Sequence, residues 1–178
     1  MTRIRLPVHD HVAFVLVRPH YPENVGASAR AMKTMGFDEL VLVRPSRLAV
    51  PEHEMAFKMS VRAWDVLHAA RRADDLESAL RGVDHVLATS SHRGLSGVLT
   101  ARDAAAFVVG EAAQGKRIAI LFGNEKTGLS EEDLMGAHER VRVPMAADQP
   151  SINLAQSVQL IAYELFVTAL ERRGAGGE

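Results

Sequence analysis

The sequence contains no cysteine. That absence excludes disulfide frameworks, cysteine zinc sites and thiol catalysis together, and it suits a reducing compartment. Long hydrophobic runs are missing as well. The N-terminal one, Val12–Val17, is six residues long, too short for a signal-peptide core or a membrane span, so a soluble cytoplasmic protein is expected. Neither sign of charge dominates: 21 Lys and Arg face 22 Asp and Glu, a net charge of −1, and no global field draws a polyanion to the chain. The N-terminal half is slightly basic and the C-terminal half slightly acidic, so any RNA contact has to come from a local patch, or from one completed by a second subunit. Among eight histidines no H-E-x-x-H spacing occurs, which speaks against a metal site. There is no G-x-S-x-G elbow and no G-x-G-x-x-G fingerprint, so a serine hydrolase and a dinucleotide-binding loop lose their sequence support.

What remains is an ordinary globular composition, 47% hydrophobic and 24% charged over 178 residues. A chain of this length buries roughly 70% of the surface its unfolded state exposes and needs no metal or disulfide to fold. Repeats, linkers and low-complexity stretches are absent, so residues 1–178 read as one domain with a core of about 12–172 and a frayed tail at 174–178. Short apolar runs without polar alternation occur at Val12–Val17, Leu40–Val43, His85–Ala88, Arg117–Phe122 and Val141–Val143. Such runs suit strands buried on both faces of a parallel sheet. Helical patterns lie between them. One spans about Val25–Met35 and stops at Gly36; another starts at Asp74 and ends before Gly82. Thr100 and Ser130, each three residues before an aspartate, look like capping boxes. The last helix, about Asn153–Arg172, carries the stripe Leu154, Val158, Ile161, Leu165, Ala169, widened by Ala162, Phe166 and Leu170. That arc exceeds the roughly 100° of a helix with one buried face and leaves apolar surface for a second subunit. The fold class is α/β: a mostly parallel sheet with helices on both faces.

In such sheets ligands bind beyond the C-terminal ends of the strands. Three segments there are rich in glycine, proline and small polar residues: His20–Arg30, Leu121–Ser130 and Val143–Gln156. In the first, Asn24 is a plausible N-cap, and a helix N-terminus makes a phosphate contact cheap. The second has the Gly123–Gly128 spacing of a Walker A loop, but Leu129 stands where the lysine belongs, so a P-loop is rejected. There Glu125 could bind a hydroxyl or amine, or pair with Lys126 or Arg140. In the third, Ser151 and Asn153 open the last helix. Together the three describe a small-molecule pocket.

These segments, in this order, resemble the SpoU/TrmH-type members of the SPOUT superfamily, the knotted RNA 2′-O-ribose methyltransferases. Asn24, Gly26 and Arg30, followed by Met35-Gly36-Phe37, match the first family motif. Phe122, Gly123 and Glu125, with Gly128 and Leu129, match the second; Ser151 and Asn153 match the third, with Ile152 replacing leucine. Met55-Ala56, Ala63–Leu67 and Thr89–Arg93 fit the tRNA anticodon-loop cytidine/uridine subgroup. The resemblance implies a C-terminal deep trefoil knot, an exception to the rule against knots. It also implies a homodimer and S-adenosylmethionine as methyl donor. By the same resemblance Thr89, Ser90, Gly123, Val143, Ser151, Asn153 and Leu154 bind the cofactor, and Arg30, Asn24, Glu125, Ser151 and Asn153 form the catalytic set. A guanidinium with a pKa above about 12 scarcely gives up its proton, so Arg30 reads as a phosphate clamp that also stabilises the developing alkoxide. Arg18, His20, Lys33, Arg44 and Arg47 are the candidate RNA contacts. The competing readings are an rRNA 2′-O-methyltransferase, a base-nitrogen methyltransferase, a catalytically inactive knotted RNA-binding protein, and a nucleotide-binding α/β module of another family.

Overall fold

Alternation of side-chain size along the buried runs decides how the sheet is covered. The structure is a computed structural model that describes residues 4–91, 96–147 and 151–175. In strand β1 (Val12–Val17) and strand β2 (Leu40–Val43) every residue is buried. Phe14, Leu16, Leu40 and Leu42 point to one face, Ala13, Val15, Val17, Val41 and Val43 to the other. Strand β6 (Ile118–Phe122) repeats the pattern, with Ile118, Ile120 and Phe122 on the first face and Ala119 and Leu121 on the second. The larger side chains need the thicker cover. Helices α1 (Pro7–His11), α2 (Pro22–Thr34), α6 (Ala101–Ala113) and α8 (Leu154–Ala175) supply it. Outside α2 lie α3 (Glu54–Met59) and α4 (Trp64–His68). Among the described residues the second face carries only the short helices α5 (Leu76–Ala79) and α7 (Glu131–Met135) with their flanking loops.

The remaining strands are β3 (Arg71–Ala73), β4 (His85–Thr89), β5 (Leu99–Thr100) and β7 (Glu139–Arg142). Among the described residues they form one sheet of order β3-β2-β1-β6-β4-β7-β5, and every pairing is parallel. Two late strands are therefore insertions: β6 enters between β1 and β4, and β7 between β4 and β5. The edge strands β3 and β5 were not expected. They are two or three residues long with exposed arginines in β3, so no apolar run announces them.

Several local expectations need correction. Helix α2 begins at Pro22, with Tyr21 rather than Asn24 at the N-cap; proline suits the first helical position because its missing N–H would have had no partner. Helix α5 is capped by Asp75, not Asp74, through the Ser78 N–H at 2.7 Å. Gly36 does follow α2 with φ +91°, and Thr100 and Ser130 do cap α6 and α7. In α8 the expected stripe is buried, and Ala162, Phe166 and Leu170 pack on the same core, so most of the extra apolar width is used inside the chain. Gly174 belongs to α8, which reaches Ala175, while 176–178 lie outside the described residues. No helix among the described residues is long and apolar enough to cross a membrane.

Candidate active site

The C-terminal ends of β4, β6 and β7 open onto a cavity of about 300 Å³, at the lower end of the range for small-molecule sites. Its apolar wall is Phe122, Leu129, Leu134, Val141, Val143 and Leu154, and its polar atoms come from Thr89, Ser90, Glu125, Ser151 and Ser157. Six of the seven expected cofactor residues line it: Thr89, Ser90, Gly123, Val143, Ser151 and Leu154. Asn153 does not, and instead borders an adjoining shallow depression with Met145 and Gln156. The Thr89 hydroxyl donates to the Leu121 carbonyl at 2.9 Å, and the Ser90 N–H to the Val141 carbonyl at 2.9 Å. Both bonds tie β4 to its two neighbours at the cavity floor. His92, Arg93, Gln149 and Pro150 lie outside the described residues.

Gly123 is required by a close approach. A Cβ there would stand 2.4 Å from the Gly128 carbonyl carbon and the Leu129 nitrogen. The loop folds back on itself: the Asn124 N–H donates to Gly128 O at 3.2 Å and the Gly128 N–H to Asn124 O at 2.8 Å, with Gly128 at φ +68°. This bridged turn turns its amides inward, which agrees with rejecting a Walker phosphate loop.

One hydrogen-bonded chain joins the three polar segments. The Glu125 carboxylate accepts from the His20 N–H at 2.8 Å, the Tyr21 N–H at 3.2 Å and Asn24 Nδ2 at 2.9 Å. Because Asn24 donates with its amide nitrogen, its oxygen is left to accept, and Asn153 Nδ2 donates to it at 3.0 Å. Asn153 Oδ1 in turn accepts from the Ala155 and Gln156 N–H groups at 3.0 and 3.3 Å, capping α8. Glu125 thus neither pairs with Lys126 nor with Arg140. It fixes the turn that leads into α2 by holding the N–H groups of His20 and Tyr21, and Asn24, inside the first turn, links rather than caps.

Three of the expected cations already have partners. Arg18 makes a two-pronged ion pair with Asp133, at 3.1 Å for its longer contact. Asp133 is buried and also accepts from the Ser130 N–H at 2.7 Å. Lys33 pairs with Asp65 at 2.6 Å, and the Arg44 Nε donates to the Asp74 carbonyl. Arg47 is exposed. Arg30 is exposed on α2, six residues and hence about 9 Å along the axis from Asn24, and does not line the cavity. Lys126 lines the cavity, and its ammonium lies 5.5 Å from the ring centroid of Tyr21, a pairing that no local pattern announces.

The SpoU rRNA Methylase family matches residues 11–163. The chain belongs to that family. A relative from Pectobacterium atrosepticum, the tRNA (cytidine/uridine-2′-O-)-methyltransferase TrmJ, is 36% identical over 168 residues, covering 94% of this chain and 68% of its own length. The tRNA (cytidine/uridine/adenosine-2′-O-)-methyltransferase TrmJ of Pseudomonas aeruginosa is also 36% identical, over 93% of this chain and 64% of its own length. The chain thus spans about two thirds of these relatives. Among solved structures, a probable methylase family protein from Haemophilus influenzae aligns with a TM-score of 0.84 at 33% identity, over 94% of this chain and 70% of the other. The three polar segments of this SpoU-family chain meet through the hydrogen bonds above. Among the described residues no group of three or more His, Asp or Glu could hold a metal ion.

Proposed function

We propose that the chain transfers the methyl group of S-adenosylmethionine to a ribose 2′-hydroxyl of tRNA, in the anticodon loop. The observation that carries this reading is the chain Glu125–Asn24–Asn153 at the edge of a cavity lined by the second and third motif segments. The cavity fits the cofactor in kind, with an apolar wall for an aromatic base and hydroxyls and backbone for the polar portion. Thr89, Ser90, Gly123, Val143, Ser151 and Leu154 would hold it. The sulfonium of S-adenosylmethionine supplies the methyl group; the protein's task is to position the ribose and favour its ionised oxygen. Asn24 and Asn153 orient each other beside the acceptor. Glu125 holds the loop rather than moving a proton, since three N–H groups already occupy its oxygens. Arg30 clamps the neighbouring phosphate with two parallel donors and stabilises the alkoxide. Because Arg30 stands outside the cavity of its own subunit, the reading includes a homodimer in which a second copy completes the site. It also includes the trefoil knot of the family, a topology that the late insertion of β6 and β7 supports.

The test uses labelled S-adenosylmethionine with unmodified bulk tRNA, followed by alkaline hydrolysis. Label retained in alkali-resistant dinucleotides is the expected result. Label in mononucleotides means base methylation, and transfer to rRNA instead of tRNA overturns the substrate. An Arg30→Lys enzyme with near-normal turnover would sink the two-pronged clamp.

A further inference from the structure

Tyr21 stands apart from the other functional side chains because neither packing nor hydrogen bonding explains it. The residue is 42% exposed at the turn between β1 and α2, and its side chain makes no capping bond although it occupies the N-cap. Its backbone is nevertheless fixed, the N–H being held by Glu125 at 3.2 Å. The His20 ring meets it edge-on, with centroids 4.7 Å apart at 88°. Lys126 approaches from the opposite motif segment, its backbone N–H bound to Asn124 Oδ1 at 2.8 Å. The Lys126 ammonium lies 3.1 Å from His20 Nε2 and 5.5 Å from the Tyr21 ring centroid. An ammonium has only donors, so the facing His20 nitrogen is the acceptor.

The electrostatics are incomplete. Among the described residues no carboxylate pairs with Lys126, and the adjacent Glu125 has its oxygens committed to three N–H groups. A positive charge held by a ring and an imidazole, at the rim of the cavity that Lys126 also lines, is left for an external anion. A rigidly placed aromatic face beside an uncompensated cation is what single-stranded nucleic acid requires, since a base stacks while its phosphate is neutralised. We propose that Tyr21 and Lys126, braced by His20, form a platform for single-stranded RNA at the cavity mouth, stacking a base next to the methyl acceptor and binding its phosphate. Tyr21 lies three residues before Asn24, so the platform adjoins the point where the acceptor ribose is held. The proposal rests on the methyltransferase reading above and deepens it by naming where the RNA is held.

The experiment compares wild type, Tyr21→Ala, Tyr21→Phe and Lys126→Ala. It measures affinity for fluorescently labelled unmodified bulk tRNA over a salt series, S-adenosylhomocysteine binding by calorimetry, and mass by sedimentation. Tyr21→Ala should weaken RNA binding by about 10-fold or more, with S-adenosylhomocysteine affinity and mass unchanged, while Tyr21→Phe stays within about 2-fold of wild type. Lys126→Ala should reduce the salt slope by about one. Wild-type RNA affinity in Tyr21→Ala overturns the platform. So does a change of mass, which would make the ring a contact between subunits, or a parallel loss of S-adenosylhomocysteine binding, which would make its role structural. A wild-type chain that binds S-adenosylhomocysteine but no RNA overturns the platform and leaves the cofactor reading standing; one that binds neither overturns both.

Discussion

Asn24 uses both ends of one amide, giving its N–H to Glu125 and taking another from Asn153. No isosteric replacement keeps both. Asn24→Asp sets a second carboxylate against Glu125 and should cost about 2 kcal/mol of stability. Urea unfolding reads the loss, and methyl transfer should fall with it; a variant as stable as wild type would remove the amide from its linking role. Asp133 makes a prediction about pH. Burial acts to raise its carboxyl, but the Arg18 guanidinium and Ser130 outweigh burial and hold it below the usual range. A carboxyl that ionises more readily folded than unfolded contributes stability above its unfolded pKa of about 3.9, and that contribution vanishes as pH falls through the folded value. Asp133→Asn should therefore flatten the fall of Tm below about pH 4, and an unchanged acid limb would contradict the pairing. The same pair ties Arg18, expected from the sequence to contact RNA, to α7 and so to the cavity wall at Leu134. A formal charge is visible in a sequence, but whether another charge already satisfies it is not.

Helix α2 carries Asn24 and Arg30, and a glycine sets how closely it meets its neighbour. A Cβ on Gly26 would stand 2.0 Å from the Ala56 carbonyl oxygen of α3, a clash with backbone that no rotamer relieves. Gly26→Ala should push α3 away and cost about 1–3 kcal/mol, measured by urea unfolding; a neutral effect would mean that α3 is free to shift. Strands β1, β2, β4 and β6 were legible because each holds a run of three to six buried apolar residues that has no other stable use, whereas interior strand β7 (Glu139–Arg142), with only Val141 buried, begins two residues before the expected Val141–Val143. The stripe of α8 was legible for the same reason. Edge strands β3 and β5 were not, because only one flank of each is covered and polarity there costs nothing. The start of α2 was not legible for a related reason. The turn before it is held by Glu125, from a segment remote in sequence, and local spacing offers no hint of that.

The order of the sheet assembles the site. Inserting β6 between β1 and β4 carries Glu125 to the end of β1, beside His20, Tyr21 and Asn24; β7 then directs the chain toward Asn153 and α8. Arg30 is left outside that assembly, which leads to a test on the whole molecule. If the chain is a homodimer sharing its sites, Arg30→Ala and Asn24→Ala are each inactive alone. Co-expressed in equal amounts, they should recover about a quarter of the wild-type rate, since half the dimers are mixed and each mixed dimer keeps one intact site. A mixture no more active than its parts would assign Arg30 to its own subunit. The sequence by itself determined the α/β class, the parallel strands and the three polar turns at their ends, because periodicity and burial act over a few neighbouring residues. Only the tertiary structure decided which turns touch, which carboxylate holds which turn, and which cations remain uncompensated. Those outcomes depend on strand order and on contacts between residues a hundred positions apart, where no local pattern reaches.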